Sequence, residues 1–254
     1  MFDLPNLDRI ASLLVSRAGG YLRNTVREPR ITCHVCATPV DGYKQCIPCH
    51  KHEAEYGPRL ADAVCALTYA IRGKQSAYAM LGYKAARPLK EHHAVVSLLA
   101  LSGIGFHGTC AGVLAGMPVT HWATVPSLPQ KQGTHPFHGI VSSALPRDAE
   151  ITLLASPDVA DPRTTAADHF TTAATLLPHS HVLVLDDTWA QGGHAQSTAL
   201  TLRRASATKV SIMTVARWLN PGFGSNSEFV SERLSKDFDP RRCPWTGGTC
   251  PPRA

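Results

Sequence analysis

The chain has 254 residues, 44% of them apolar and 17% charged, which excludes intrinsic disorder and allows one α/β core plus a small accessory module. Its formal charge of +6 is uneven: residues 1–90 hold 13 Lys and Arg against 7 Asp and Glu, and the rest hold 12 of each. A basic first third favours phosphate-bearing partners, either a charged small molecule or nucleic acid; a solvated basic surface is the plain alternative.

In chain order, the opening MFDLPNLDRIASLL carries acids where a secretory signal would be basic. It predicts a short amphipathic helix on Leu7, Ile10, Leu13 and Leu14, the main feature of a 1–30 segment of helix and linker. Lacking an export signal, the protein is expected to be cytoplasmic, with its eight cysteines reduced or metal-bound. Next comes ITCHVCATPVDGYKQCIPCHKH, residues 31–52, in which Cys33-x-x-Cys36 and Cys46-x-x-Cys49 lie nine residues apart. Each pair puts two thiolates on one tight turn, and two such knuckles can close a tetrahedral Zn²⁺ site. Pro39, Gly42 and Pro48 supply turn chemistry, and His34, His50 and His52 are not needed as ligands. We read residues 31–57 as a closed, structural zinc module.

Residues 58–219 read as the main domain. Ala94 to Met117 is free of formal charge and long enough to raise a membrane span. Its glycines, and the histidines and polar residues on its flanks, favour a helix and turn packed under a sheet, and no membrane partner is expected. From residue 119 the pattern changes to short apolar runs at 119–126, 151–156, 181–187 and 209–216, each resembling a buried strand. The gaps between them suit crossover helices, so the predicted fold is α/β, a mostly parallel sheet flanked by helices. Residues 220–254 are rich in Gly, Pro and Ser and read as a flap or loose tail. Within them Cys243 and Cys250 read most simply as two ordinary thiols, although a second metal or redox pair is an alternative. Cys65 and Cys110 read as core residues.

The segment HVLVLDDTWAQGGHAQSTALTLRRA is the most informative. Val182 to Leu185 predict a buried strand, with Asp186 and Asp187 at its C-terminal end, where open α/β sheets bind ligands. A loop with Gly192 and Gly193 then opens a helix, whose N–H groups and partial positive charge suit a phosphate. Acids that accept ribose hydroxyls beside a phosphate cradle suit a sugar phosphate.

This segment resembles the ribose-phosphate motif of type I phosphoribosyltransferases, an apolar strand ending in two acids followed by a Thr-Gly-x-Thr loop. Together with the cysteine knuckles, residues 31 to 219 resemble the ComF family of competence-associated phosphoribosyltransferase-like proteins. LGYK, with Lys84, is similar to that family's Leu-Lys-Tyr element, and VPSLPQKQGTHPFHGIV (125–141) stands in place of its Val-Pro-x-Pro and Arg-Gly-Phe-Asn stretch. The resemblance implies a type I phosphoribosyltransferase-like fold. It implies a 5′-phosphate held by Gln191, Gly192, Gly193, His194 and Ala195, and ribose hydroxyls gripped by Asp186 and Asp187, the catalytic candidates. Lys84 would face the pyrophosphate, and Mg²⁺ would arrive with phosphoribosyl pyrophosphate. The activity would be transfer of phosphoribosyl to a nitrogen acceptor. The alternative is a non-catalytic nucleotide- or nucleic-acid-binding protein in DNA uptake or handling.

Departures from the motif are informative as well. Gln191 and His194 replace its two threonines, so two hydroxyl contacts are lost, although a protonated His194 can donate. Ala190 replaces the acid of purine-salvage members, which argues against purine salvage. Thr134 to Gly139 contain no arginine for a pyrophosphate.

Overall fold

The structure, a computed structural model, describes residues 2–129, 133–159, 161–162 and 164–252. Residues 130–132, within the 125–141 stretch, and residues 253–254 of the tail lie outside that description. Four strands make the main sheet: β1 (Ala63–Ile71), β2 (His121–Thr124), β5 (His181–Trp189) and β6 (Lys209–Leu219). All pairings are parallel, in the order β1-β6-β5-β2. The expected α/β architecture with a mostly parallel sheet is therefore present.

Strand alternation sorts the core into two layers. Leu183 and Leu185 of β5 and Met213 and Val215 of β6 pack with helices α1 (Leu7–Ala18) and α4 (Lys90–Ala115). Val182 and Val184, with Val210 and Ile212, pack on the opposite face with α6 (Gly193–Arg204) and three cysteines of the N-terminal module. Helix α1 forms as expected but buries Ala11, Leu14 and Ala18, leaving Leu13 40% exposed.

Helix α4 is 26 residues long, and its most apolar window has a mean hydropathy of 1.6 and is 61% buried against the rest of the chain. Gly116, at φ +66°, ends the helix as its C-cap, but the glycines before it do not interrupt it. They are points of close approach: a Cβ on Gly105 would lie 2.6 Å from Leu7 and one on Gly108 2.8 Å from Phe2, and one on Gly103 would overlap Leu67. Packing against α1 and β1 offsets the low helix propensity of glycine.

Two strand expectations need correction. Residues 151–156 do not join the main sheet. Ile151 N–H meets the Trp122 carbonyl once (2.8 Å), and the chain then turns off to give β3 (Leu154–Ala155), antiparallel to β4 (Phe170–Thr171). Conversely β1, with a burial pattern as continuous as that of β5, is a full strand that the mixture of small apolar residues around it conceals. The tail is not loose within the described residues. It forms α7 (Asn226–Arg233), and beyond it Asp239 N–H and C=O both bond the Asn24 side chain at 2.8 Å.

Candidate functional site

Strand β2 ends at Thr124, opposite Leu185, whereas β5 runs on to Trp189 with only β6 beside it. Asp186 and Asp187 stand on this overhang, inside the strand and not at its last residue. Because successive side chains alternate, the two acids face opposite sides of the sheet. Asp187 shares the α4 side with Leu183 and Leu185, and Asp186 shares the α6 side with Val184.

Asp187 is buried and already partnered. Its Oδ2 accepts from the Tyr83 hydroxyl and from Lys84 Nζ (2.7 Å), and His135 Nε2 lies 3.9 Å away. Tyr83 and Lys84 follow α3 (Gln75–Gly82), whose C-terminal end aims them at β5. His135 precedes α5 (Pro136–Ser142) and accepts from Phe137 N–H through Nδ1, which leaves Nε2 as the protonated nitrogen turned to Asp187. Although burial opposes ionisation, the Lys84 charge and the Lys84 and Tyr83 hydrogen bonds hold Asp187 below the usual carboxylate range. Asp186 retains some exposure, and its Oδ1 accepts from Asp187 N–H at 2.8 Å. Burial and then the neighbouring Asp187 charge raise its pKa. The pair thus has one firmly ionised and one reluctant carboxylate.

The loop after β5 is built around Gly192, whose φ of +88° caps α6. A Cβ there would overlap the Trp189 indole, so both backbone and space demand glycine. The first intrahelical bond runs from Gln196 N–H to the Gly192 carbonyl (2.9 Å), so the N–H groups of Gly193, His194 and Ala195 precede the ladder. Beside them the buried Trp189 Nε1 has no hydrogen-bond partner among the described residues. Arg217 on β6 braces the loop, with Nη1 donating to the carbonyls of Trp189 (3.0 Å) and Ala190 (2.8 Å). Gln191 is exposed. His194 has its Nε2 on the Pro162 carbonyl (2.7 Å) and its ring edge-on to Phe170, so that nitrogen is committed away from a ligand. Gly192→Ala combines a left-handed alanine with an overlap in a packed site and is expected to cost roughly 3 kcal/mol, read from denaturant midpoints.

Next to the overhang, beyond the end of β2, lies an open cleft of about 340 Å³ lined by Thr124, Ser127, His135, His138 and Glu150 among others. His135 belongs to both cleft and acid cluster. His138 Nδ1 lies 3.0 Å from Thr124 Oγ1 and 3.6 Å from Glu150 Oε1. Thus Lys84 and Asp187 come together, Asp186 and the glycine loop stand around the strand end, and Tyr83, His135 and Arg217 join them. Reading the sequence alone missed these three: Tyr83 passed as core, His135 as a departure from a motif, and Arg217 was not singled out.

No family model and no curated protein matches the chain.

The four N-terminal cysteines form a second cluster. Their sulfurs all lie within 4.8 Å of one another, and Cys36 and Cys46 are 3.7 Å apart. Tetrahedral zinc with Zn–S bonds of about 2.3 Å puts sulfurs about 3.8 Å apart, so the cluster can hold such an ion. The first knuckle is a turn, with Ala37 N–H on the Cys33 carbonyl (2.9 Å) and Ala37 at φ +58°. The second is the first turn of α2 (Ile47–Tyr56), which Cys46 caps. His34 bonds the Lys44 carbonyl and His52 bonds Thr165, so neither is turned to the sulfurs.

Proposed function

We propose that the chain binds a ribose 5-phosphate group, as phosphoribosyl pyrophosphate or a nucleotide, across the C-terminal end of β5, as its resemblance to the phosphoribosyltransferase-like ComF family implies. The supporting observation is an acid pair on a strand overhang, with Asp187 five residues upstream of a left-handed glycine turn that opens a helix whose first N–H groups are unclaimed among the described residues. The 5′-phosphate would rest on the N–H groups of Gly193, His194 and Ala195, and Asp186 and Asp187 would accept the ribose hydroxyls from either side of the strand. The adjoining cleft has room for a base. Mg²⁺ accompanying a pyrophosphorylated sugar would neutralise the leaving group, with Asp186 and Asp187 as the carboxylates at hand. In the four-cysteine cluster we assign one zinc ion, held by Cys33, Cys36, Cys46 and Cys49 as a folding device.

If the protein is a transferase, a nitrogen nucleophile adds to C1 of the ribose as the C1–O bond to pyrophosphate breaks, and the nitrogen then gives up its proton. The chain would contribute position and charge. One feature favours the binding reading over the catalytic one: Lys84, the cation expected at the pyrophosphate, is committed to Asp187. A nucleic-acid partner draws less from the basic first third, because Arg23 and Arg27 are spent on backbone carbonyls of Leu234, Pro244, His34 and Val64.

Calorimetric titration with phosphoribosyl pyrophosphate, with and without Mg²⁺, beside nucleoside monophosphates tests the reading. Comparable affinities for both ligand types are expected. If Lys84 moves to the pyrophosphate, Lys84→Met weakens the pyrophosphorylated sugar selectively; if it stays on Asp187, both ligands weaken alike. Absence of binding for every ribose phosphate would end the proposal.

A further inference from the structure

Two pairs of residues far apart in sequence, outside the site just described, converge where the C-terminal segment crosses α4. His107 and Cys110 lie three residues apart on one buried face of the helix, and Cys243 and Cys250 bracket the loop CPWTGGTC. Their ligand atoms all lie within 4.8 Å of one another, with His107, Cys110 and Cys243 buried and Cys250 exposed. Reading Cys110 as core and Cys243 and Cys250 as ordinary thiols therefore missed a cluster that only the tertiary fold assembles. We infer that His107, Cys110, Cys243 and Cys250 form a second zinc site, of Cys₃His type, which fastens the C-terminal segment to α4.

Three features carry the inference. The first is the orientation of the imidazole. His107 Nε2 is 2.9 Å from the Pro240 carbonyl, and only a protonated Nε2 can donate there. That bond fixes the tautomer and leaves the Nδ1 lone pair facing the sulfurs, the arrangement in which metal-bound histidines are held by a backbone carbonyl. The second is distance. Cys250 Sγ lies 3.4 Å from His107 Nδ1. Zn–N and Zn–S bonds of about 2.0 and 2.3 Å at the tetrahedral angle place these atoms about 3.5 Å apart. The third is the loop. Cys243 N–H bonds the Gly248 carbonyl and Gly247 N–H bonds the Cys243 carbonyl, both at 2.8 Å, with Gly247 at φ +80°. This folds the loop back so that both cysteines meet the helix. Trp245 Nε1 donates to the His107 carbonyl (2.9 Å), which seats the loop on the turn that carries the histidine.

Four protein ligands leave no open position, so the site is structural and not catalytic. It would hold in place the segment that also bonds Gly19, Asn24 and Arg27. Its ligands come from elements joined only by tertiary structure, whereas those of the N-terminal site span seventeen residues. The exposed Cys250 makes the second ion the more accessible to a chelator. The inference stands independently of the ribose-phosphate reading.

The test is metal content of the full chain, purified under reducing conditions and equilibrated in a zinc buffer, by native mass spectrometry and elemental analysis. Two zinc ions per chain are expected, and one after Cys250→Ala, which alters the exposed ligand and spares the core. His107→Cys, which keeps four ligands, should retain both. Cobalt in place of zinc should give one spectrum of a four-sulfur site and one of three sulfurs and a nitrogen, with Cys250→Ala abolishing only the second. A folded wild-type chain with one zinc overturns the inference, as does a mass two hydrogens lower from a disulfide within the cluster. Two ions surviving in Cys250→Ala would overturn it equally.

Discussion

Cys33→Ser is expected to lower the zinc content by one ion and the unfolding free energy by several kcal/mol. Cys33 is fully buried, and its N–H is fixed to the Thr38 carbonyl at 2.8 Å. Without metal the four thiols share their protons unequally: hydrogen bonds with Cys36, Cys46 and Cys49 hold Cys33 below the usual thiol range, and those with Cys33, Cys36 and Cys46 push Cys49 above it. The zinc ion proposed there would replace that arrangement with four bonds to thiolate. For isolated zinc fingers the binding energy is about 10–16 kcal/mol and is the folding energy. Here Cys33, Cys36 and Cys49 also pack against Val64, Val184 and Ile212, so part of the module's stability survives and the loss is a fraction of that figure. Denaturant midpoints alongside metal analysis read both quantities. An unchanged midpoint with unchanged zinc would remove Cys33 from the ligand set.

Asp186→Asn combined with Asp187→Asn is expected to abolish ribose-phosphate binding. Each charge-assisted hydrogen bond lost is worth about 1.5–3 kcal/mol, so the pair costs roughly 10²–10⁴-fold in affinity. The single variants should differ in stability, in opposite directions. Asp187 has a lowered pKa, so its contribution is present above the ordinary carboxylate range and is lost as pH falls. Asp187→Asn should therefore destabilise at neutral pH, by about 1–2 kcal/mol once the partial exposure of Lys84 is allowed for. Asp186 has a raised pKa: the native state holds its proton more tightly, so its contribution to stability is full below about pH 4 and is lost as pH rises towards neutrality and beyond. Asp186→Asn should match wild type in acid and exceed it at neutral pH. Denaturant midpoints across pH 4–8 would reveal the divergence, and parallel curves would exclude Asp186 as the reluctant acid.

What the sequence conveyed was whatever is written locally. The knuckles at Cys33 to Cys49, the helix through Leu14, the strand from His181 and the glycine turn at Gly192 are all spelled out within windows of about twenty residues, where period and spacing suffice. Contacts between distant segments were not legible. Lys84 reaching Asp187 spans 103 positions, and His107 beside Cys250 spans 143. Nothing in either neighbourhood marks the partner. Strand β1 was hidden because its buried run is made largely of small residues, Ala63, Cys65, Ala66 and Ala70, and so lacks the Val- and Leu-rich run that marks β5. The run 151–156 misled for a related reason: Ile151 and Leu153 are buried beside β2, and burial imitates a strand without a ladder.

The order of strands also bears on how the chain assembles. β5 and β6 pair at His181↔Lys209, a separation that one short crossover closes, whereas β1 meets β6 at Ala63↔Ser211. Closing so long a loop costs entropy before any contact compensates it, and parallel sheets of this kind fold slowly. The β5-α6-β6 unit, which contains the glycine turn and both acids, is thus placed to form early, with β1 docking late against a preformed edge. Destabilising substitutions in β1 should then mainly speed unfolding, and those in α6 should slow folding.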